Sequence, residues 1–506
     1  MKRYGTRHGR GALLALTLAG GLLLTACAGT GSGSSADAKH GNSAGLPAPG
    51  PARTQDGRQD AQQDERDPGD HVSTFALDVD TASYGYARRA LADGHRPDPS
   101  TVRPEEFVNS FRQDYPRPDG NGFTVTVDGA RTDEPGWSLV RVGLATRAAQ
   151  DDARRPPAAL TFVVDVSGSM AEPGRLDLAR RSLGTMTDRL RDDDSVALVT
   201  FSDEAETVLP MTRLGGHRAR VHDAVDSLET RGSTDLGAGV GTGYATAVEG
   251  LREGATNRVV LVSDGLANTG DTDADTILER IDADRREHGI TLFGVGVGSD
   301  YGDALMERLA DRGDGHTAYV SGTDDATEVF GEQLPRNIEL TARDAKAQVV
   351  FDPRTVADFR LVGYDDRRVA DDDFRDDRVD GGEVGPGHTV TALYAVRTRP
   401  GAEGHLATAT VRWLDPESRA PHEESGTLEA GALRGSVWRA SDRFQVTAVA
   451  AYFADALRLG ADGTRLPGAP GLGELQNRAD GLARRTEDPA VRQLTRAIEQ
   501  ARRGEG

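Results

Sequence analysis

The sequence predicts an α/β fold: a doubly wound, mostly parallel sheet with flanking β-rich and helical segments. Three observations carry this. From residue 158 onward, strand-like and helix-like segments alternate, the pattern of a sheet covered by helices. The first of these strands contains the unbroken apolar run Phe162, Val163, Val164, which suits a buried strand. It ends abruptly in Asp165, and a second apolar run, Val259 to Val262, ends near Asp264. Open α/β sheets hold their ligands at such strand ends.

Taken from the N-terminus, residues 1–27 read as a targeting segment. Lys2, Arg3, Arg7 and Arg10 precede an apolar stretch over 11–26, short for a membrane span. Cys27 is the sole cysteine, so an internal disulfide is excluded. Leu24-Thr-Ala-Cys27 resembles the lipobox of bacterial lipoproteins. That resemblance implies lipidation of Cys27 and anchoring to the extracytoplasmic face of the cell membrane, since two acyl chains hold stably where one does not. An ordinary secretory peptide with an incidental cysteine is the alternative. Residues 28–70 are rich in Gly, Ser, Pro, Asp and Gln and carry too little apolar surface to fold, which predicts a tether.

Residues 71–157 form an N-terminal flanking α+β region. Ser73–Ser83 reads as a strand entering a turn, 84–93 as helix, and 104–111 as a short helix with Pro104 near its start. Alternation predicts strands within 123–147. In the central domain, 158–335, strands are predicted at 159–165, 195–201, 257–263, 290–297 and 316–320, with 205–211 as an antiparallel edge strand. Helices are predicted at 174–190, 217–229, 236–252, 273–288, 302–311 and 323–334. Residues 336–430 return to strands (346–351, 359–364, 389–398 and 407–414), a β-rich domain. The segment 431–506 is helical, with helices expected over 437–457 and 488–502.

The chemistry gathers in three places. Asp165, Ser167 and Ser169 alternate through a loop that Gly168 allows to turn back, so one carboxylate and two hydroxyls face one point. Thr234 lies in a loop ahead of a helix, and Asp264 ends the second apolar strand. Such hard oxygens suit Mg²⁺ (or Mn²⁺ or Ca²⁺) better than a soft metal. The order Asp-x-Ser-x-Ser, then Thr, then Asp resembles the metal-ion-dependent adhesion site of von Willebrand factor type A domains. The resemblance implies that Ser167, Ser169 and Thr234 bind the metal through hydroxyls while Asp165 and Asp264 supply charge. It further implies a protein partner that offers a carboxylate to the metal, without catalysis. Ser73–Ser83, 359–364 and 387–394 resemble the flanks of bacterial lipoproteins with one central domain of this type. Asp235 is expected to cap the following helix. Along the helix begun by Gly174-Arg175, the change from acidic to basic residues reads as ordinary dipole matching, not as part of a site.

Other motifs are weaker. Asp78-Val-Asp80-Thr-Ala82 resembles the nucleophile loop of haloacid-dehalogenase-type phosphatases, but Ala82 stands where Thr or Val is needed and Lys346 is the sole downstream lysine in the folded part. A phosphotransferase using Asp78 and Asp80 is thus a minor alternative, as is an assembly or chaperone-like role in an envelope complex. Asp271–Asp275 opens like a Ca²⁺ loop yet has Thr276 where Gly is required. The acidic run 371–383 reads as a solvated loop. Gly294–Gly298 is a glycine-alternating strand, lacking the Gly-Lys of a phosphate loop. With a net charge of −21 and no basic cluster, the chain is ill suited to nucleic acid.

Overall fold

The computed structural model describes residues 71–504 except 78–79, 149–154, 265–275, 280–286, 299–305, 307–308, 310–314, 321, 331–333, 335–339, 378, 380, 417 and 460–465. Its strands are β1 (Val72–Ala76), β2 (Phe123–Arg131), β3 (Trp137–Thr146), β4 (Ala158–Asp165), β5 (Ser195–Phe201), β6 (Ala205–Arg213), β7 (Thr256–Ser263) and β8 (Thr291–Val297). After these come β9 (His316–Val320), β10 (Ala342–Phe351), β11 (Val356–Leu361), β12 (Gly382–Val384), β13 (Thr389–Thr398), β14 (His405–Leu414) and β15 (Pro421–Glu429). The helices are α1 (Ala82–Ala92), α2 (Pro104–Asn109), α3 (Leu176–Arg189), α4 (Arg218–Asp226), α5 (Leu236–Glu249), α6 (Thr323–Glu328), α7 (Asp442–Leu459), α8 (Leu472–Thr486) and α9 (Pro489–Arg503).

The central sheet has the order β6-β5-β4-β7-β8-β9. All neighbours run parallel except β6, which pairs antiparallel with β5 at the edge. Every residue of β4 and β5 is buried, as the apolar runs require of strands covered on both faces. Strand order reverses between β4 and β7, the switch point at whose carboxyl ends open α/β sheets hold their ligands. Asp165 ends β4, and Asp264 follows β7 directly. Helix α5 lies unusually close to this sheet. A Cβ on Gly243 would fall 2.3 Å from Val163 Cγ2, and one on Gly239 2.5 Å from Phe201 Cγ. Gly294 likewise leaves space for Met306 against β8, the packing role expected of that glycine-alternating strand.

The flanks interleave. One sheet runs β1-β10-β14-β15, with β12 also on β10, and the other β11-β13-β3-β2. Strands from before and after the central domain therefore share both sheets. Phe75, Val142, Val349, Phe351, Tyr394 and Val411 fill one core between them. The α/β domain is an insertion between β3 and β10 of this sandwich. A helical layer, mainly α1, α2 and α7 to α9, packs on Leu139, Leu393 and Ala395 of the second sheet through Phe107, Phe453, Leu475 and Leu494.

Three elements go beyond the sequence expectations, the first being the short strand β12, which pairs with β10 at the end of the acidic run read as a loop. Strand β15 is almost wholly exposed and shows no apolar alternation; its ladder with β14, from His405↔Glu429 to Leu414↔Pro421, fixes it. Helix α8 is polar apart from a narrow stripe of Leu475, Ala479 and Leu482. In the acidic run, 371–375 forms a short 3-10 turn, and its carboxylates disperse: Asp371 accepts from Thr74 and Asp377 from Arg412.

Candidate functional site

The loop after β4 builds the site. The Ser167 amide donates to Asp165 Oδ1 (2.8 Å), and Ser263 Oγ donates to Asp165 Oδ2 (2.7 Å). Both carboxylate oxygens are thereby fixed in direction, each with lone-pair capacity left. Ser167 Oγ and Ser169 Oγ lie 3.1 Å apart in one hydrogen bond, so the two hydroxyls converge as the alternation predicts. The loop carrying Thr234 is laced to this one. The Arg231 amide donates to the Val166 carbonyl (2.5 Å), and the Gly168 amide to the Gly232 carbonyl (2.9 Å). A Cβ on Gly168 would stand 3.4 Å from the Gly232 carbonyl oxygen, so the two loops are in van der Waals contact. Thr234 is buried between them and α5, which Asp235 caps by accepting from the Ala238 amide (2.9 Å).

Asp165 and Asp264 are both completely buried. Burial, above all, pushes the Asp165 carboxyl above the usual carboxylate range; the Ser167 and Ser263 hydrogen bonds pull it partly back, and the negative charge of Asp264 adds to the rise. Two carboxylates held this way favour a cation between or beside them. The donor set of two carboxylates and three hydroxyls is all hard oxygen and fits Mg²⁺. Among the described residues no group of three or more His, Cys, Asp or Glu side chains is gathered for a metal, as hydroxyls make up most of this set.

Two participants escaped the sequence reading. Ser263, the last residue of β7, orients Asp165 across the switch point. Its position one residue before Asp264 was the available signal. Arg175, at the start of a helix that the sequence reading kept apart from any site, instead contacts the candidate site: its Nη1 donates to Asp264 Oδ2 (2.8 Å) and to the Ser169 carbonyl (3.0 Å). The sequence gives no sign of this, because the contact spans 89 residues.

The other motifs fall elsewhere. Cys27, Asp78 and Asp271–Asp275 lie outside the described residues. Asp80 is bound on both oxygens, by the Thr317 amide at Oδ1 (2.5 Å) and Arg367 Nη2 at Oδ2 (2.5 Å). Lys346 is buried on β10 opposite Ala76, with Nζ donating to the Asp376 carbonyl (2.7 Å). Among the described residues no helix is long and apolar enough to cross a membrane.

Parts of the chain match known protein families. The von Willebrand factor type A domain family matches residues 159–332. Residues 337–427 match the C-terminal family of the uncharacterized protein YfbK, and residues 56–137 a family described as von Willebrand factor. Human inter-alpha-trypsin inhibitor heavy chain H3 is 26% identical over 200 residues, 37% of this chain and 22% of that protein. A solved von Willebrand factor type A structure from Catenulispora acidiphila aligns with a TM-score of 0.47 at 16% identity, covering 76% of this chain and 91% of that one. The uncharacterized protein YfbK of Escherichia coli (strain K12) is 32% identical over 410 residues, which cover 76% of this chain and 71% of that protein. That extent takes in the sandwich as well as the inserted domain, and the chain belongs to the YfbK-like family of bacterial proteins with a von Willebrand factor type A domain.

Proposed function

We propose that this chain is a lipid-anchored, extracytoplasmic binding protein whose α/β domain docks a protein partner through a Mg²⁺ held by Asp165, Ser167, Ser169, Thr234 and Asp264. The observation that carries the reading is the convergence of Ser167 Oγ and Ser169 Oγ, 3.1 Å apart, beside a carboxylate whose direction Ser167 and Ser263 fix. Bound there, Mg²⁺ supplies a Lewis-acidic point that accepts a partner's Glu or Asp oxygen in place of a water. The protein's own residues do the rest. The loops around Val166 and Gly232 hold the hydroxyls in place, and buried Asp165 and Asp264 set the charge. Lipidated Cys27 anchors the chain to the membrane.

The test uses the full chain as bait on cell-envelope extract, in Mg²⁺, in EDTA, and as Asp165→Asn. Retention of a partner only by wild type in Mg²⁺ is expected. Retention indifferent to chelation and to the substitution sinks the metal-dependent reading. Radiolabelled palmitate incorporated by wild type but not by Cys27→Ser is the expected sign of the anchor; equal labelling, or none in either, rejects it.

A further inference from the structure

At the end of the central sheet opposite the candidate site, the inserted domain meets the sandwich through buried charge. Arg258 lies near the start of β7, in register with Leu160 of β4 and Thr291 of β8, and is 1% exposed. Its Nε donates to Thr291 Oγ1 (2.8 Å), but its Nη1 is buried with no hydrogen-bond partner. Across the seam, β10 carries Arg343 and β12 carries Glu383. Arg343 Nη1 stands 3.6 Å from Glu383 Oε1, too far for a hydrogen bond, and Arg343 Nε is also buried without a partner. Thr341, two residues before Arg343 and buried, likewise has an unpartnered Oγ1. The His316 ring, at the start of β9, closes the seam against the Glu383 carbonyl (3.0 Å).

A buried donor left without an acceptor costs about 1–3 kcal/mol, so such a group needs a reason. The charges supply one. Burial, above all, pushes the Arg258 guanidinium down to about 10; Glu383 pulls it partly back, and the positive charge of Arg343 adds to the fall. Among the described residues Glu383 is the one carboxylate that acts on either guanidinium, so two cations share one anion. One positive charge is left over, and an uncompensated buried charge is costly. A water molecule would satisfy the donors and leave that charge in place; a divalent anion would overshoot it. We propose that the seam holds a monovalent inorganic anion, a halide such as chloride, between Arg258 and Arg343, with Thr341 as a further donor. Arg343, 28% exposed, forms the outer edge and gives solvent ions a way in. The bound ion ties β7 of the inserted domain to β10 of the sandwich, independently of any cation at the strand-end loops.

The test uses the full chain as wild type, Arg258→Gln and Arg343→Gln. Crystals of wild type soaked in sodium bromide are expected to show an anomalous peak between Arg258 and Arg343. In solution, wild type is expected to broaden the chloride NMR line, with bromide reversing the effect. Either variant should lose about tenfold in halide affinity, the scale of one unit charge at an intermediate effective dielectric. Arg343→Gln, at the edge, carries the same expectation should Arg258→Gln fail to fold. Thermal unfolding at matched ionic strength should give wild type a higher midpoint in chloride than in gluconate, with the difference lost in the variants. A water at the seam where bromide is expected, a wild-type midpoint indifferent to chloride, or halide affinity unchanged in Arg343→Gln overturns the proposal.

Discussion

Asp80 joins the inserted domain to the sandwich, and removing it measures how firmly. Its carboxylate receives the Thr317 amide from β9 and Arg367 from the turn after β11, both at 2.5 Å, and its side chain is fully buried. The same seam is reinforced where α1 meets β9. Tyr86 and Tyr319 stack edge to face at 6.0 Å, and Arg88 pairs with Asp325 at 2.7 Å. In Asp80→Ala, Arg367 loses the carboxylate beside it, a loss worth about 3–5 kcal/mol for a buried pair. The Thr317 amide loses its acceptor, about 1–3 kcal/mol more, but the two losses share one side chain and do not simply add. Glu105, buried and electrostatically coupled to Arg367, tempers the first. The expected net loss is therefore about 3 kcal/mol, at the lower end of the range for buried pairs. Urea unfolding of the full chain reads it well, because Trp137, Trp413 and Trp438 all lie outside the inserted domain while circular dichroism sees every element. Asp80→Asn, which keeps an acceptor for Thr317, should fall between wild type and Asp80→Ala. A loss below about 1 kcal/mol, or strict additivity of Asp80→Ala with Arg367→Met, refutes the clamp. The same result would reopen Asp80 as a residue free for chemistry.

Two further substitutions probe the inserted domain. Burial alone would raise the Asp194 carboxyl, but two bonds from Arg155 (2.8 and 2.5 Å), the Ala158 amide and the Arg191 amide more than offset it and hold it below the usual range. A depressed folded value means the unfolded chain binds the proton first, so this stability is present above about pH 4 and is lost as pH falls through the folded value. Asp194→Asn should cost about 3 kcal/mol at neutral pH and flatten the acid limb of a stability-against-pH curve; an unchanged acid limb counts against the assignment. In Gly243→Ala the new methyl meets Val163 Cγ2 at 2.3 Å, so α5 must move off the sheet at about 1–3 kcal/mol. Because α5 follows Thr234, Mg²⁺ affinity should drop as well, and a variant as stable as wild type contradicts the close packing.

Legibility in the sequence tracked how local the cause was. The strands of the central sheet were readable because double burial leaves an unmistakable apolar run, as in β4, β5 and β7. The edge strand β6 was readable for the opposite reason, its mixed polar pattern beside a short turn. Strand β15 was not, since Pro421-His-Glu-Glu owes its extended form to nine partners on β14 and not to its own side chains. The interleaving of the two flanks was invisible for the same reason. Nothing in Phe123–Arg131 or Val356–Leu361 says that β2 and β11 sit in one sheet, because register is a property of pairs.

The site divides along the same line. Asp165, Ser167 and Ser169 are neighbours in sequence, and a two-residue spacing in a turning loop brings them together whatever surrounds them. Arg175 is different. At the start of a helix an arginine is unfavourable for the dipole, and local reasoning expects it to point into solvent. Its burial draws on Gly298, more than a hundred residues on, which supplies a backbone without a side chain, and on Asp264, which supplies the charge. A residue that local rules disfavour and the fold nevertheless buries is held there by something worth more than the local cost. Here the compensation is an ion pair with a carboxylate of the candidate site, which is why the misfit of Arg175 with its helix points to the site and not to the helix.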